Sequence, residues 1–234
     1  MNINEYQNYH ETKAHTSAEF PYNTYLCSIP LDFPGVPLHW HDELELVVIK
    51  RGQGFVSVDF DKRLVHSGDI IIIPPRCLHA IEQDDTFKME YENIIFKPDL
   101  LSSGANDLCM IQYIVPLLDG SLPIEYFLTP ALGSFEALSN CIRQIDLVCA
   151  DQTPGWQLAV KSSLFNFFFL LIPERQKKTV STSSNSKSLE KMKTVLKYVE
   201  NHYTEKLTID DMAELTYYST VSYTHLTLPT KLEV

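Results

Sequence analysis

Residues 35–45 read GVPLHWHDELE and carry two imidazoles and one carboxylate, at positions 39, 41 and 45. These three positions have the same parity, and side chains of equal parity on a β-strand lie on one face. Two imidazoles and a carboxylate on one face form a three-point set of ligands that divalent metals accept. The sequence therefore predicts that His39, His41 and Glu45 point together into one site.

A second segment, GDIIIIPPRCLH at residues 68–79, offers a third imidazole at His79. We expect this segment to supply the third imidazole to the same site from a neighbouring strand.

Short β-rich runs separated by turn residues extend from about Asn23 to Phe96. The runs are Tyr22–Ile29, Leu44–Ile49, Gly54–Phe60, Asp69–Ile73 and Lys88–Phe96, and the breaks contain PG at 34–35, RG at 51–52, SG at 67–68 and PP at 74–75. Several short strands at roughly ten-residue spacing predict an all-β sandwich or barrel. We expect residues 20–100 to form an antiparallel barrel with the candidate site residues pointing inward.

The pattern changes to a helical period after Pro98. Helices are predicted at Asn106–Leu118, Pro130–Ala150 and Gly155–Ile172, with one more strand at Leu122–Leu128. The last helix is apolar almost all round, so it must be buried on more than one side. One partner is then the barrel and the other a second subunit in a homodimer. The alternative is a helix that lies fully within the core of a single chain.

Composition limits the class of protein. The net charge of −11 argues against a generic binder of polyanions, and the excess acid lies in the first 173 residues. The five cysteines form no CxxC pair, which fits reduced thiols in the cytosol. The start of the chain is polar and shows no signal peptide. The apolar stretch Leu164–Ile172 is far shorter than the roughly 20 residues of a membrane span. We expect a soluble cytoplasmic protein.

The first segment resembles the first motif of the cupin family. It has the pattern His-x-His, three residues, Glu45, six residues, Gly52. This resemblance implies a double-stranded β-helix barrel whose cavity is lined by His39, His41, Glu45 and His79.

The second segment resembles the second cupin motif less completely. It keeps Gly68, Pro74 and His79 in spacing, but Arg76 stands where cupins usually have glycine, and Gln83 replaces a frequent asparagine. The departure leaves the occupant of the cavity open.

Two occupants are compatible with the resemblance, an organic effector and a divalent metal. Cupin enzymes use such ligands to hold a metal, whereas regulatory cupins often keep the histidines and bind an effector directly. The effector-binding candidates are His39, His41, Glu45, His79, Trp40 and Tyr25. The alternative for Trp40 and Tyr25 is that they pack in the core of the barrel. The metal alternative uses His39, His41, Glu45 and His79, and no cofactor is required. We find no nucleophile-plus-base arrangement, so we expect no catalytic residues and no enzyme.

Residues 195–215, VLKYVENHYTEKLTIDDMAEL, are similar to the opening of an AraC/XylS-type DNA-binding domain. The resemblance implies a partial helix-turn-helix scaffold that contains Thr208, Met212, Ala213 and Leu215. A cupin sensor followed by this segment implies a transcriptional regulator of the AraC family that senses a small molecule, with a sugar as the first expectation. DNA would be a partner of the full-length protein, and no membrane partner is expected.

Two other classes of function stay open at this point. One is a metal-dependent cupin enzyme, such as a dioxygenase or isomerase. The other is a bare sugar-binding module. The helical segment at 188–218 favours the regulator, since a small enzyme needs none of it.

The predicted domain organisation has six parts. They are an N-terminal arm at 1–20, a cupin-like effector-binding barrel at 21–129, dimerisation helices at 130–173, a linker at 174–187, a partial helix-turn-helix domain at 188–218 and a non-native tail at 219–234. The tail resembles a recurrent adapter-derived sequence, and a genuine short tail is the alternative.

Overall fold

The computed structural model describes residues 8–104, 107–122 and 124–177 and the single positions 198 and 208, without the side chains of 173–177. Residues from Glu11 onward in the first three ranges belong to one compact unit. The predicted helix-turn-helix segment, most of the predicted linker and the tail lie outside the described residues. Met212, Ala213 and Leu215 lie there too, and Thr208 is an isolated, exposed position.

The first part of the described chain is built of antiparallel strands. The strands are β1 (Tyr22–Ile29), β2 (Gly35–His39), β3 (Leu44–Val58), β4 (Asp61–His66), β5 (Ile70–Ile73), β6 (His79–Gln83), β7 (Met89–Phe96) and β8 (Phe127–Leu128). The strands β2, β4 and β6 were not predicted, and the predicted strand at Leu122–Leu128 is reduced to its last two residues.

Strand β3 joins the two halves of the barrel wall. Its first half pairs with β7 and β5, in a sheet of order β1-β7-β3-β5-β8. Its second half pairs with β4 and β6, and β6 in turn pairs with β2. One long strand therefore belongs to both sheets and carries Glu45 near its start.

The predicted break between two strands at Arg51-Gly52 is wrong, because β3 runs through it. Gly52 has a φ of +78° and lies beside a register shift between Ile49 and Arg51. A Cβ atom on Gly52 would lie 1.8 Å from the carbonyl oxygen of Lys88. The glycine marks a bulge where two backbones approach closely, and it does not end the strand.

Alternating residues of β3 face two different cores. Leu44, Leu46 and Val48 belong to a cluster shared with the helices, whereas Val47 and Ile49 belong to the barrel interior. The isoleucines of β5 alternate in the same way. Glu45 has the parity of Val47, so its side chain belongs to the interior face of the barrel.

Helical elements follow the barrel. They are a 3₁₀ turn at Pro98–Leu101, a π-helical turn at Met110–Ile114, α1 (Val115–Leu118), α2 (Phe135–Asp151) and α3 (Trp156–Lys177). Helix α2 starts five residues later than predicted, and α3 extends into the predicted linker. Among the described helices, none is long and apolar enough to cross a membrane.

Helix α3 is buried on one side. Val160, Leu164, Phe167, Phe168 and Leu171 pack in the cluster that joins the helices to the sheet. Leu158, Phe165 and Phe169 lie exposed, and Leu158 and Phe169 expose 74% and 63% of their surface. The predicted fold class, a mainly β barrel domain followed by helices, is confirmed.

Candidate ligand-binding site

The four cupin-motif residues come from three strands and one turn. His39 ends β2, Glu45 is the second residue of β3, and His79 starts β6 directly opposite His39 in the register. His41 lies in the turn between β2 and β3. The prediction that one strand brings these residues together is therefore wrong, since β2 ends at His39 and β3 begins only at Leu44.

The structure nevertheless brings these four side chains together. Glu45 Oε2 lies 3.0 Å from His41 Nε2 and 3.3 Å from His79 Nε2. The ring centroids of His39 and His79 are 4.0 Å apart. His41, Glu45 and His79 are buried, whereas His39 keeps 15% of its side chain exposed. The cluster thus has a closed inner end and an open end at His39.

Backbone carbonyls orient the three imidazoles. Nδ1 of His39 donates to Pro37 O at 2.9 Å, Nδ1 of His41 donates to Glu43 O at 3.2 Å and Nδ1 of His79 donates to Cys77 O at 2.9 Å. A carbonyl oxygen only accepts, so the Nδ1 atom of each ring carries the hydrogen. The Nε2 atom of each ring then faces the carboxylates of the cluster. It donates to a carboxylate when the ring is protonated, and it can bind a metal or accept from a polar ligand when the ring is neutral.

Burial and charge act in opposite directions on these groups. Burial and the neighbouring His79 lower the pKa of His39 from its ordinary value of 6.5 to about 4. Burial also disfavours the charged form of His41, but the hydrogen bond and the charge of Glu45 outweigh it and raise the pKa of His41. In the same way, hydrogen bonds from His41 and His79 overcome burial and lower the pKa of Glu45. The site therefore holds a buried carboxylate at neutral pH.

Two residues of the N-terminal arm complete the cluster. Glu11 Oε2 lies 3.0 Å from His15 Nε2 and 3.4 Å from His39 Nε2. The ring of His15 is buried, with its centroid 5.5 Å from that of His41. Neither residue was predicted from the sequence, because the effector site was expected to lie within the barrel at 21–129. The available signal was weak, since it consisted only of two ligand-type residues four positions apart.

The two aromatic candidates lie in different surroundings. Tyr25 meets His15 edge-on with ring centroids 5.9 Å apart, so it borders the cluster through the arm. Trp40 is half-buried, and its carbonyl oxygen accepts a hydrogen bond from the Glu11 amide at 2.9 Å. Tyr25 therefore neighbours the cluster by its ring, and Trp40 is linked to it by its backbone.

The arrangement suits two kinds of chemistry. His39, His41 and His79 each offer one ligand atom, and these three atoms lie within 4.8 Å of one another. Glu45 Oε2 lies 3.3 Å from His79 Nε2, so a cation held by the three imidazoles would also lie beside a carboxylate. The same imidazoles and carboxylates can hydrogen-bond the hydroxyl groups of a small polar molecule.

Two curated relatives match most of the chain. It is 25% identical over 209 residues to the uncharacterised HTH-type transcriptional regulator YdeC of Bacillus subtilis, covering 89% of this chain and 70% of YdeC. It is 24% identical over 183 residues to the uncharacterised HTH-type transcriptional regulator YbfI of the same organism. That second match covers 78% of this chain, which spans only 62% of YbfI.

Solved structures with local similarity include two cupins. A cupin protein from Bacteroides fragilis is 24% identical, with a TM-score of 0.32 over 38% of this chain and 80% of its own. A cupin 2 conserved barrel domain protein from Salinispora arenicola is 22% identical, with a TM-score of 0.30 over 33% of this chain and 65% of its own.

The family itself is identified by a match that covers more than half of the chain. The model of the AraC-like ligand-binding domain matches residues 29–168, a range that encloses His39, His41, Glu45 and His79. The resemblance predicted from the sequence is confirmed, and the chain belongs to the family of AraC-like ligand-binding domains.

Proposed function

We propose that this chain is the sensor part of a DNA-binding transcriptional regulator, and that its effector binds at the histidine–carboxylate cluster of the barrel. The observation that carries the proposal is the family match over residues 29–168, because it encloses the cluster. The two curated relatives are named as HTH-type transcriptional regulators, which supports the same role. The DNA-binding scaffold at Thr208, Met212, Ala213 and Leu215 remains part of this proposal.

The effector is a small polar molecule, and a sugar is the first candidate. Imidazole and carboxylate groups hydrogen-bond hydroxyls, while aromatic rings cover the apolar faces of a sugar. His39 is the open end of the cluster, and Tyr25 borders it through the arm. A ligand that enters from the His39 side would meet both kinds of group.

A divalent cation is the second candidate occupant, favoured by the three converging imidazole nitrogens. A cation would replace the proton on Nε2 of His41 and bind Nε2 of His79, both of which now face Glu45. Metal analysis after equilibrium dialysis tests this. Binding of one zinc or nickel ion per chain that His79→Gln abolishes supports the cation. Binding that His79→Gln leaves unchanged rejects it at this site, and the exposed His66→Gln is the control.

The chain forms a homodimer in this proposal, through α2 and α3. The apolar stripe Leu158, Phe165 and Phe169 recurs at helical spacing on the exposed side of α3. Apolar surface of this kind is typical of a protein–protein interface.

The regulatory role can be tested in the host that carries the gene. We expect deletion of the gene to change a limited set of transcripts, and we expect the His79→Gln variant to lose effector dependence of the same set. His66→Gln should behave as the wild type. No transcript change on deletion, together with turnover of a bound compound by the purified chain, would favour a metal-dependent cupin enzyme instead.

A further inference from the structure

Two carboxylates of the cluster are each held between two imidazoles. Glu45 Oε2 lies between His41 and His79, at 3.0 and 3.3 Å from their Nε2 atoms. Glu11 Oε2 lies between His15 and His39, at 3.0 and 3.4 Å from theirs. The second pair repeats the chemistry of the first at the open end of the site.

The two carboxylates differ in how solvent reaches them. The side chain of Glu45 is 3% exposed and belongs to the barrel wall, whereas that of Glu11 is 30% exposed. Residues 11–15 form no helix or strand. A dissolved molecule can therefore reach the position of the Glu11 carboxylate, and it cannot reach that of Glu45.

Besides the two imidazoles on Glu11, a cation–π contact of Lys13 with the Tyr25 ring at 5.2 Å and three hydrogen bonds hold this part of the arm. The Glu11 amide donates to Trp40 O at 2.9 Å, and His15 O accepts from Asn23 Nδ2 at 2.9 Å and from the Tyr25 hydroxyl at 3.3 Å. The three residues between Glu11 and His15 are exposed. A segment that buries so little apolar surface opens at low cost.

His15 also carries a buried polar atom without a hydrogen-bond partner. His15 is 7% exposed, and its Nδ1 atom is buried without a hydrogen-bond partner. Buried polar atoms without a partner are uncommon in folded proteins.

We propose that the Glu11 carboxylate occupies the subsite for a carboxylate of the effector, which is a small organic acid of the sugar-acid type. This inference rests on the proposed role of the cluster as the effector site. Exchange of one carboxylate for another keeps the charge that faces His15 and His39 unchanged. A neutral sugar that left Glu11 in place would not use this subsite. A neutral sugar that displaced Glu11 would leave His15 and His39 without a carboxylate, so the geometry favours an anion.

The test is chemical rescue of a Glu11→Ala variant of the full 234-residue chain. We expect sodium acetate to raise the unfolding temperature of this variant by several degrees, because acetate restores the missing carboxylate. Neutral acetamide and sodium chloride at the same concentration should have no such effect. The wild type should not respond to acetate, and neither should Glu19→Ala, which removes an exposed carboxylate of the same arm.

Larger probes test the same subsite by affinity. We expect D-galacturonate to bind Glu11→Ala about tenfold or more tightly than the wild type, since an internal carboxylate that occupies the subsite lowers the apparent affinity. D-Galactose, its neutral counterpart, should show no such gain. If Glu11→Ala is too unstable to purify, the affinities for D-galacturonate and D-galactose are compared in Glu11→Ser, with the same expected result.

The outcomes separate this inference from the proposed function. An equal response of Glu11→Ala to acetate and acetamide overturns the inference, and so does an equal response of Glu19→Ala. Binding of D-galactose that His79→Gln abolishes, without acetate rescue, overturns the inference alone and leaves the proposed function standing. Ligand responses that His79→Gln leaves unchanged reject the proposed function as well.

Discussion

His39 and His41 lie in one cluster but respond oppositely to it. Burial and the nearby His79 lower the pKa of His39 to about 4, while Glu45 overcomes burial at His41 and raises the pKa of His41. The ring of His39 also faces solvent at the open end of the site. His39 is therefore suited to remain neutral and to accept a ligand, and His41 is suited to hold the buried carboxylate in place.

The pKa of His39 predicts a contribution to stability that depends on pH. Because the folded pKa is below the ordinary 6.5, the unfolded chain binds a proton at His39 that the folded chain does not bind between pH 6.5 and 4. The free energy of unfolding should therefore fall as the pH is lowered through this window. We expect a shallower fall in His39→Gln, measured by urea unfolding at several pH values. A slope equal to that of the wild type, or matched by the exposed His66→Gln, would contradict the assignment.

The sequence could predict part of the cluster and not the rest. The spacing of His39, His41 and Glu45 indicated a shared site, although the convergence comes from a turn and two strands and not from one face of one strand. Glu11 and His15 could not be predicted, because their position depends on hydrogen bonds to residues of β1 and of the chain just after β2. Tertiary contacts of this kind leave no periodic signal in the sequence.

At the scale of elements, β3 is the part on which the site depends. It pairs with four other strands, carries Glu45 and presents one face to each core. A glycine in a strand normally suggests a turn or a bulge, and sequence alone did not distinguish them at Gly52. The close approach of the Lys88 carbonyl identifies Gly52 as part of a bulge and not of a turn.

Gly52 should tolerate no side chain. We expect Gly52→Ala to lower the free energy of unfolding by more than about 2 kcal/mol, because the new Cβ meets the Lys88 carbonyl oxygen and the φ is positive. Gly68→Ala is the matched control, since Gly68 also has a positive φ but open space around it. That control should cost about 1–2 kcal/mol, from backbone strain alone. Equal losses in denaturant unfolding would contradict the role assigned to the close approach.

Lys50 joins the barrel to helix α2. Its Nζ atom lies 2.6 Å from Glu92 Oε2 on β7 and 2.8 Å from Asp146 Oδ2 on α2. Glu92 is mostly buried and also accepts a hydrogen bond from Thr24 Oγ1. The ion pairs therefore connect the wall of the barrel to the helices that we propose for dimerisation.

Loss of the Lys50 charge should destabilise the fold. We expect Lys50→Met to lower the free energy of unfolding by about 1–3 kcal/mol, because it leaves the mostly buried Glu92 without its cation. Lys62→Met removes one partner of an exposed pair with Glu82 and should cost less than about 1 kcal/mol. Thermal or urea unfolding distinguishes the two variants, and equal losses would show that the Lys50 ion pairs contribute no more than a surface pair.

At the scale of the whole molecule, hydrophobic pattern was enough to predict a β barrel followed by helices. The number of strands was not predictable, because β2, β4 and β6 are short and carry few apolar residues in alternation. The pattern of α3 was also informative. Its all-round apolarity predicted two buried sides, and one of them lies exposed in the single chain.

The exposed side of α3 predicts a dimer that one substitution can weaken. We expect the wild type to be a dimer at micromolar concentration and Phe169→Glu to shift it toward monomer, since a charge in an apolar interface is unfavourable. Phe87→Glu alters an aromatic residue that is also exposed, in the loop between β6 and β7, and should leave the dimer intact. Sedimentation equilibrium measures both. A monomeric wild type would contradict the proposal.

The central claim is that the histidine–carboxylate cluster binds an effector without transforming it. The most direct measurement is calorimetric titration of the chain with neutral sugars, sugar acids and divalent metals, followed by NMR analysis of any ligand that binds. We expect one organic ligand per chain, bound by the wild type and by His66→Gln, bound at least about tenfold more weakly by His79→Gln, and recovered unchanged. Binding that His79→Gln leaves intact, or conversion of the ligand into a product, would contradict it.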